Sequence, residues 1–417
     1  MLLSDVPNII KINKLFYFKK NIRFFKISYS SKLVNKNTIY AFDSKKKFKV
    51  KYLEEAVKNK TPAIISNKLY KNYKIPQFIV KDVKKETKNI LYSLFPYKPK
   101  NSLAVTGTNG KTSVVWYISQ FCLLNKINVK TLGTLGYFQN GYKKSNTNLT
   151  TPEFEELYQY GFDNKKNKYN FIFEASSHAL AQDRLSDFSV DIAAITNITI
   201  DHLDYHKNIS NYNNSKINLF KFYLNSKGTA VINGRLKNYK SIYNLIKKRK
   251  IKSITYGKKD IYFINKKNKL FINIFKKKYY LKNLILTDIE KENFECAIAC
   301  CLELKIKPIN IVKSINNISN PPGRLQEYQL KKQSKIIIDY AHTPDALLRV
   351  LKSYTNIKKP SLVFGCGGNR DKSKRKIMGK IAQRYASKVY ITDDNPRNED
   401  RKLIRCAILK YCKKGIE

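Results

Sequence analysis

Residues 102–114, Ser-Leu-Ala-Val-Thr-Gly-Thr-Asn-Gly-Lys-Thr-Ser-Val, carry the densest set of groups able to grip a phosphate. Gly107 and Gly110 let the backbone turn its N–H groups toward an anion. Lys111 supplies an ammonium for the outer phosphates, and the Thr112 hydroxyl can meet Mg²⁺. Thr108 and Asn109 complete the loop. The general pattern G-x-x-x-x-G-K-[ST] needs glycine where Val105 stands, so the loop is a shorter variant, T-G-T-N-G-K-T. An apolar run at 103–105 reads as a buried strand before it, and 114–124 reads as a helix after it.

Only four histidines occur, His178, His202, His206 and His342, and each sits in a polar, acid-bearing motif. Glu174-Ala-Ser-Ser-His178 follows a strand at 171–173, so Glu174 stands at a strand end, where a carboxylate can hold Mg²⁺. Asp201-His-Leu-Asp-Tyr-His206 packs two carboxylates and two imidazoles into six residues without zinc-finger spacing. Lys216 lies on the helix that follows. Three further loops close strands at 335–338, 361–364 and 388–392. They are 339–345 (with Asp339 and His342), the Gly-rich 364–372 (with Arg370) and 393–397 (with Asp394, Asn395 and Arg397). The reading expects all three at one edge of one sheet, the edge where open α/β sheets bind ligands.

These loops need elements to hold them. The chain has 417 residues, room for two or three cored domains. Residues 1–97 read as a small α/β domain, with strand-like runs at 38–42 and 63–65 and an amphipathic stretch near 53–57. Pro96 and Pro99 mark a linker. Residues 98–322 alternate strands (171–173, 192–196, 229–232) with helices, the pattern of a mainly parallel sheet. Short hairpin strands follow within 262–288, then a helix at 294–304, and Pro321-Pro322-Gly323 marks a second boundary. Residues 323–417 begin a third α/β unit, with helices at 344–354 and 378–386. A doubly wound sheet normally has more strands than this unit supplies.

Composition narrows the function. No apolar run reaches the length of a membrane span, and residues 1–23 lack a signal peptide's apolar core and cleavage site. The seven cysteines form no C-x-x-C pair, and Cys296, Cys300 and Cys301 sit at the spacing of a helix lining a core. A cytoplasmic setting with no membrane partner is expected. The net charge of +50 would suit nucleic acid. Lysine is spread along the whole chain, however, with Asn, Ile and Tyr, the other residues of AT-rich codons. The charge therefore reads as compositional drift, with no specific nucleic-acid partner.

Ten motifs stand in a characteristic order: T-G-T-N-G-K-T, L-T-T-P (149–152), E-A-S-S-H, Q-D-R (182–184), T-N-I-T-I-D-H-L-D-Y-H, S-K (215–216), P-G-R (322–324), D-Y-A-H-T-P, G-C-G-G-N-R-D-K and D-D-N-P-R. This order resembles the Mur ligases, in particular the branch that adds the third peptide residue in peptidoglycan synthesis. The likeness runs from about residue 26 to about 400. It implies three domains: a UDP-substrate-binding domain (1–97), a central P-loop ATPase-like sheet (98–322) and an incomplete Rossmann-like, amino-acid-binding domain (323–417).

The resemblance also implies a reaction. ATP would phosphorylate the glutamyl carboxylate of UDP-N-acetylmuramoyl-L-Ala-D-Glu, and the amine of meso-diaminopimelate would displace the phosphate, in a monomer. Lys111, Lys216 and His206 would be catalytic. Gly107, Thr108, Asn109, Gly110, Lys111, Thr112, Asn293, Arg324, Asp339 and His342 would bind ATP. Thr112 and Glu174 would hold one Mg²⁺, and His206 or His202 would help hold a second. Lys216 matches the lysine that the family carbamylates, which would bring it to the metal. Ser31, Thr150, Thr151, Ser176, Gln182 and Arg184 would contact the UDP substrate. Arg370, Asp394, Asn395 and Arg397 would read the amino acid, Arg397 and Arg370 through its second carboxylate. Ser30 stands where the family has Asp, and Cys296 where an adenine-side Asn is expected. The family continues well past D-N-P-R, so a truncated third domain is expected. The folylpolyglutamate synthetase branch, and an inactive remnant that binds nucleic acid non-specifically, are the alternatives.

Overall fold

The computed structural model describes every residue except 20, 47, 167, 332, 333, 356–358 and 370. An eleven-stranded sheet dominates the described residues. Its parallel centre runs Val129–Gly133, Asn170–Glu174, Asn101–Thr106, Val190–Ile195, Leu224–Asn233 and Lys252–Tyr256. Antiparallel hairpin strands extend both edges: Gly136–Gln139 and Tyr142–Ser145 on one side, Ile261–Lys266, Lys269–Ile274 and Lys277–Leu281 on the other. From Asn101–Thr106 the chain goes first to one side of the sheet and later, through Val190–Ile195, to the other. The loop after Thr106 therefore opens at a topological switch point, where a crevice forms at the strand ends.

Strand alternation builds two cores. Leu103 and Val105 face the helices Lys111–Leu124 and Asp288–Glu303, where Tyr117 stacks on Phe294 at 4.1 Å between ring centres and Cys296, Cys300 and Cys301 are fully buried. Lys111–Leu124 is buried nearly all round, which fits a helix clamped between a sheet and a second helix. Ala104, Phe171, Phe173, Ala193 and Ile195 face the other way, into a core shared with residues 1–97.

Those first residues form a five-stranded sheet in the order Lys14–Phe16, Gln77–Ile79, Ile64–Ser66, Thr38–Phe42, Lys26–Ser28, parallel except for the first strand. Its outer strand is clasped by the helix Phe154–Gly161. The Gln159 amide accepts from Ile27 N–H (3.2 Å) and donates to Ile27 C=O (2.9 Å), and Glu155 accepts from Tyr29 N–H (3.1 Å).

The third unit corrects one expectation. Lys335–Ile338 does not join the strands that follow it; it pairs with Gln326–Gln329 in an antiparallel ribbon. Leu362–Phe364, Val389–Ile391 and Gly415–Ile416 make a separate three-stranded parallel sheet. The ribbon forms because Gln326–Gln329 follows the Pro-Pro-Gly boundary at once. The Asp339 carboxylate then ties the far end back by accepting from Leu325 N–H (2.8 Å). The three polar loops therefore do not share one sheet edge.

Replacing Phe294 by Ala would remove the ring that joins the two helices over the central strands. The expected cost is about 3–5 kcal/mol, read as a lower urea midpoint, because a cavity would open where the site has no room to collapse.

Candidate active site

The phosphate loop is built by glycine geometry and threonine packing. Gly107 has φ +145° and Gly110 has φ +85°, and a Cβ on Gly107 would collide with the Thr196 hydroxyl. Gly110 caps Lys111–Leu124 without any side-chain hydrogen bond, so the first-turn N–H groups stay open to an anion. Asn197 fixes the loop from the next strand end. Its side chain accepts from Asn109 N–H (2.9 Å) and donates to Asn109 C=O (3.1 Å), and its own carbonyl accepts from Thr108 N–H (2.9 Å).

Two lysines converge here. The Lys111 ammonium donates to the carbonyls of Gly107 and Thr108, both at 2.8 Å, and Lys216 donates to Gly107 C=O at 3.0 Å. Lys216 is 1% exposed. Burial, then the positive charge of Lys111, drives its pKa well below the ordinary lysine value. Burial also lowers Lys111, opposed by the negative charges of Glu174 and Asp201. Lys216 is therefore driven toward the neutral amine.

Glu174 closes one side. Its carboxylate accepts from the Thr112 hydroxyl (3.0 Å) and from Thr134 N–H (2.8 Å). Hydroxyl and carboxylate oxygens side by side at the loop are donors that suit Mg²⁺. Among the described residues, no three His, Cys, Asp or Glu side chains form a metal-holding group.

The histidines close the other side. His206, 5% exposed, bonds the Ser177 hydroxyl at 3.0 Å, and its ring lies 5.2 Å from that of Tyr212. The Tyr212 hydroxyl pairs with Thr108 Oγ1 at 2.9 Å, which links this imidazole to the loop. His178 stands within 4.8 Å of His202 and 5.5 Å of His206, ring to ring. Burial is the main cause that pulls His202 and His206 down to about 4. The fourth histidine comes from the third unit: His342 Nε2 lies 3.8 Å from Asp201 Oδ2, and His202 Nε2 lies 3.4 Å from the same oxygen.

Other expected ATP-side residues gather here too. Asn293 is buried on Asp288–Glu303, and its amide faces Gly110. Arg324 lies over the Tyr340 ring at 3.9 Å, within electrostatic reach of Glu174 and Lys111. Asp339 accepts from Leu325 and Ala341 N–H groups, which shapes the turn that carries Arg324 and His342.

The expected UDP-substrate residues form one linked patch, with an exception. Thr151 donates to Glu174 C=O (2.7 Å) and accepts from Ser176 N–H (2.9 Å), and Thr150 Oγ1 pairs with Thr134 Oγ1 (3.2 Å). Arg184 donates to Thr151 C=O (2.8 Å) and to Gln182 (2.9 Å). Ser31 stands apart in the first sheet's unit, its hydroxyl donated to Glu55 at 2.6 Å.

Of the amino-acid residues, Arg370 lies outside the described residues. Arg397 donates to Gly368 C=O (2.7 Å), and Asn395 C=O accepts from Gly368 N–H (2.9 Å), so 394–397 folds onto the Gly-rich turn. Asp394 is exposed beside it. Lys374, at the start of the helix Ser373–Tyr385 that follows the Gly-rich turn, donates to His342 C=O at 3.0 Å.

The motifs include Ser177, Thr196 and Asn197 but assign them no role, and they leave out Thr134 and Tyr212. Thr196 and Asn197 carried a signal, the first polar pair after an apolar strand run; the others became visible only when the strands closed up.

Comparison with known proteins decides the family. The description "Mur ligase middle domain" matches residues 105–301, and "Mur ligase, glutamate ligase domain" matches 323–416. The UDP-N-acetylmuramoyl-L-alanyl-D-glutamate--2,6-diaminopimelate ligase of Rickettsia bellii is 37% identical over 79% of this chain and 72% of its own length. The chain is a Mur ligase. A solved structure of a protein of the same name covers 98% of the chain and 86% of its own, with 26% identity and TM-score 0.64. The MurF ligase of Thermotoga maritima in complex with ADP, 17% identical, covers 95% and 88% at TM-score 0.65, a likeness of fold. Mur ligases are ATP-dependent, ADP-forming amide ligases acting on small-molecule substrates. No described helix is long and apolar enough to cross a membrane.

His202 and His206 bind protons more weakly folded than unfolded, so the unfolded chain takes up protons first as pH falls. Stability should therefore drop between about pH 6.5 and 4. Thermal melts across that window check this, and His206→Gln should flatten the slope.

Proposed function

We propose that this Mur ligase joins meso-diaminopimelate to UDP-N-acetylmuramoyl-L-Ala-D-Glu. The convergence of Lys111, Lys216, Thr112 and Glu174 on one loop is the observation that carries the reading, and the name borne by the Rickettsia relative supports it. The folylpolyglutamate alternative lacks such support, because the D-N-P-R loop supplies a cation suited to a second carboxylate.

Such chemistry is positioning and charge neutralisation. The glutamyl carboxylate attacks the γ-phosphorus of ATP, ADP leaves, and an acyl phosphate remains. The amine then attacks the acyl carbon, phosphate departs, and the amine gives up a proton. Lys111 would turn from the Gly107 and Thr108 carbonyls to the β- and γ-phosphates, with the Lys111–Leu124 N–H groups beneath them. Thr112 and Glu174 would hold one Mg²⁺, and His206 or His202 would help hold a second, with Lys216 as its carbamate. Mg²⁺, when bound, would neutralise phosphate charge and polarise the transferred group. Burial lowers the Lys216 pKa and so favours the neutral amine, the form that can add CO₂. Asn293, Arg324, Asp339 and His342 would hold the rest of the nucleotide. Thr150, Thr151, Ser176, Gln182 and Arg184, with Ser31 at the far end, would hold the UDP substrate. Asp394, Asn395, Arg397 and Arg370 would read the amino acid. The units 1–97, 98–322 and 323–417 would serve substrate, ATP and amino acid in turn, in a cytoplasmic monomer without a nucleic-acid partner.

Phosphate release from ATP, with the UDP-muramyl dipeptide and each diamino acid in turn, tests this. Release should need the dipeptide and be fastest with meso-diaminopimelate; release with a folate and none with the dipeptide would overturn the reading. Lys111→Ala should lower kcat by about 10²–10³-fold. Arg397→Ala should raise the KM for meso-diaminopimelate about 10- to 100-fold, the value of a charged hydrogen bond.

A further inference from the structure

The linker between the central sheet and the third unit is fastened to the helix that begins at the phosphate loop. Three side chains on consecutive turns of Lys111–Leu124 do this. Trp116 Nε1 donates to Ser319 C=O at 3.1 Å. Gln120 brackets the same residue: its amide nitrogen donates to Ser319 C=O (2.9 Å), and its oxygen accepts from Ser319 N–H (3.0 Å) and Oγ (3.1 Å). The Tyr117 hydroxyl donates to Asn320 Oδ1.

Asn320 is held from the other side as well. Its amide donates to Glu290 (2.8 Å), which caps the Asn293-bearing helix Asp288–Glu303, and to Leu325 C=O (3.1 Å). Ser319 and Asn320 are thus pinned to both helices that flank the loop. Gly323 follows with φ +69°, and its N–H donates to the Gln326 side chain (2.9 Å), so the turn after the pin is held as well. One residue later comes Arg324, whose backbone N–H returns to Pro321 C=O (3.1 Å) and whose side chain lies over Tyr340.

We propose that Gln120, supported by Trp116 and Tyr117, is a positioning residue that sets where Arg324 meets the nucleotide's phosphates by pinning 319–320 to the phosphate-loop helix. Three residues, Pro321, Pro322 and Gly323, separate Asn320 from Arg324. A displaced pin moves the guanidinium with little slack. The inference deepens the ligase reading and rests on it.

A double-mutant cycle tests the pin. Wild type, Gln120→Ala, Arg324→Ala and the double variant would be titrated by calorimetry with a non-hydrolysable ATP analogue, and their melting temperatures recorded. Gln120→Ala should weaken binding about tenfold, the net worth of one or two hydrogen bonds, with the melting temperature held. The double variant should be no weaker than Arg324→Ala alone. Gln120→Glu, which keeps the acceptor for Ser319, should restore most of the affinity. Trp116 is the only tryptophan, so its emission should shift to the red in Gln120→Ala as the linker lifts. Losses that multiply in the double variant, unchanged affinity in Gln120→Ala, or no analogue binding by wild type would each overturn the proposal. Analogue binding needs neither the UDP substrate nor the amine. Wild type that binds the analogue but releases no phosphate with them would sink the ligase reading and leave the cycle readable.

Discussion

Two lysine side chains share one carbonyl oxygen, that of Gly107, and much of the site follows from this crowding. Two buried ammonium groups so close repel each other, and burial penalises both. The protein answers in two ways. It drives Lys216 toward the neutral amine, and it lines the surroundings with the carboxylates of Glu174 and Asp201. A polyphosphate would resolve the same tension more completely, since it would draw Lys111 off the backbone carbonyls and supply the missing negative charge. The loop thus holds a cation on neutral carbonyl acceptors, and a charged phosphate is a stronger partner than they are.

Every element near the loop serves this arrangement. The switch point in strand order opens the crevice. Thr196 and Asn197, from the neighbouring strand end, hold the backbone in a shape that only glycine can adopt at 107. Burial favours the neutral form of His202 and His206, whose rings lie beside Tyr212, so these two add little positive charge to the crowded loop. The third unit contributes through Arg324 and His342, which arrive by a pinned linker and a turn shaped by Asp339.

Much of this was legible in the sequence because local grammar dictated it. The strand–loop–helix at 101–124, the strand-end Glu174 and the core cysteines each depend on residues close in the chain. The parallel central sheet and the hairpin strands past residue 260 were legible for the same reason, through their periodicity. What escaped depends on pairing at a distance. Lys335–Ile338 reads as apolar sheet strand, yet its partner is the Gln326–Gln329 segment, which carries no apolar alternation to announce it. Thr134, Ser177 and Tyr212 are ordinary residues until the fold brings them to Glu174, His206 and Thr108 respectively. Ser31, which the resemblance assigns to the UDP substrate, donates its hydroxyl to Glu55 in this fold, a pairing that no nearby residue announces.

The central claim is that the loop at 106–112 clamps the terminal phosphoryl group of ATP. A crystal structure with a non-hydrolysable ATP analogue and Mg²⁺ tests it most directly. The account predicts the γ-phosphate at about 3 Å from Lys111 Nζ, with that nitrogen released from the Gly107 and Thr108 carbonyls. A nucleotide bound elsewhere, with Lys111 still folded back on those two carbonyls, would contradict it.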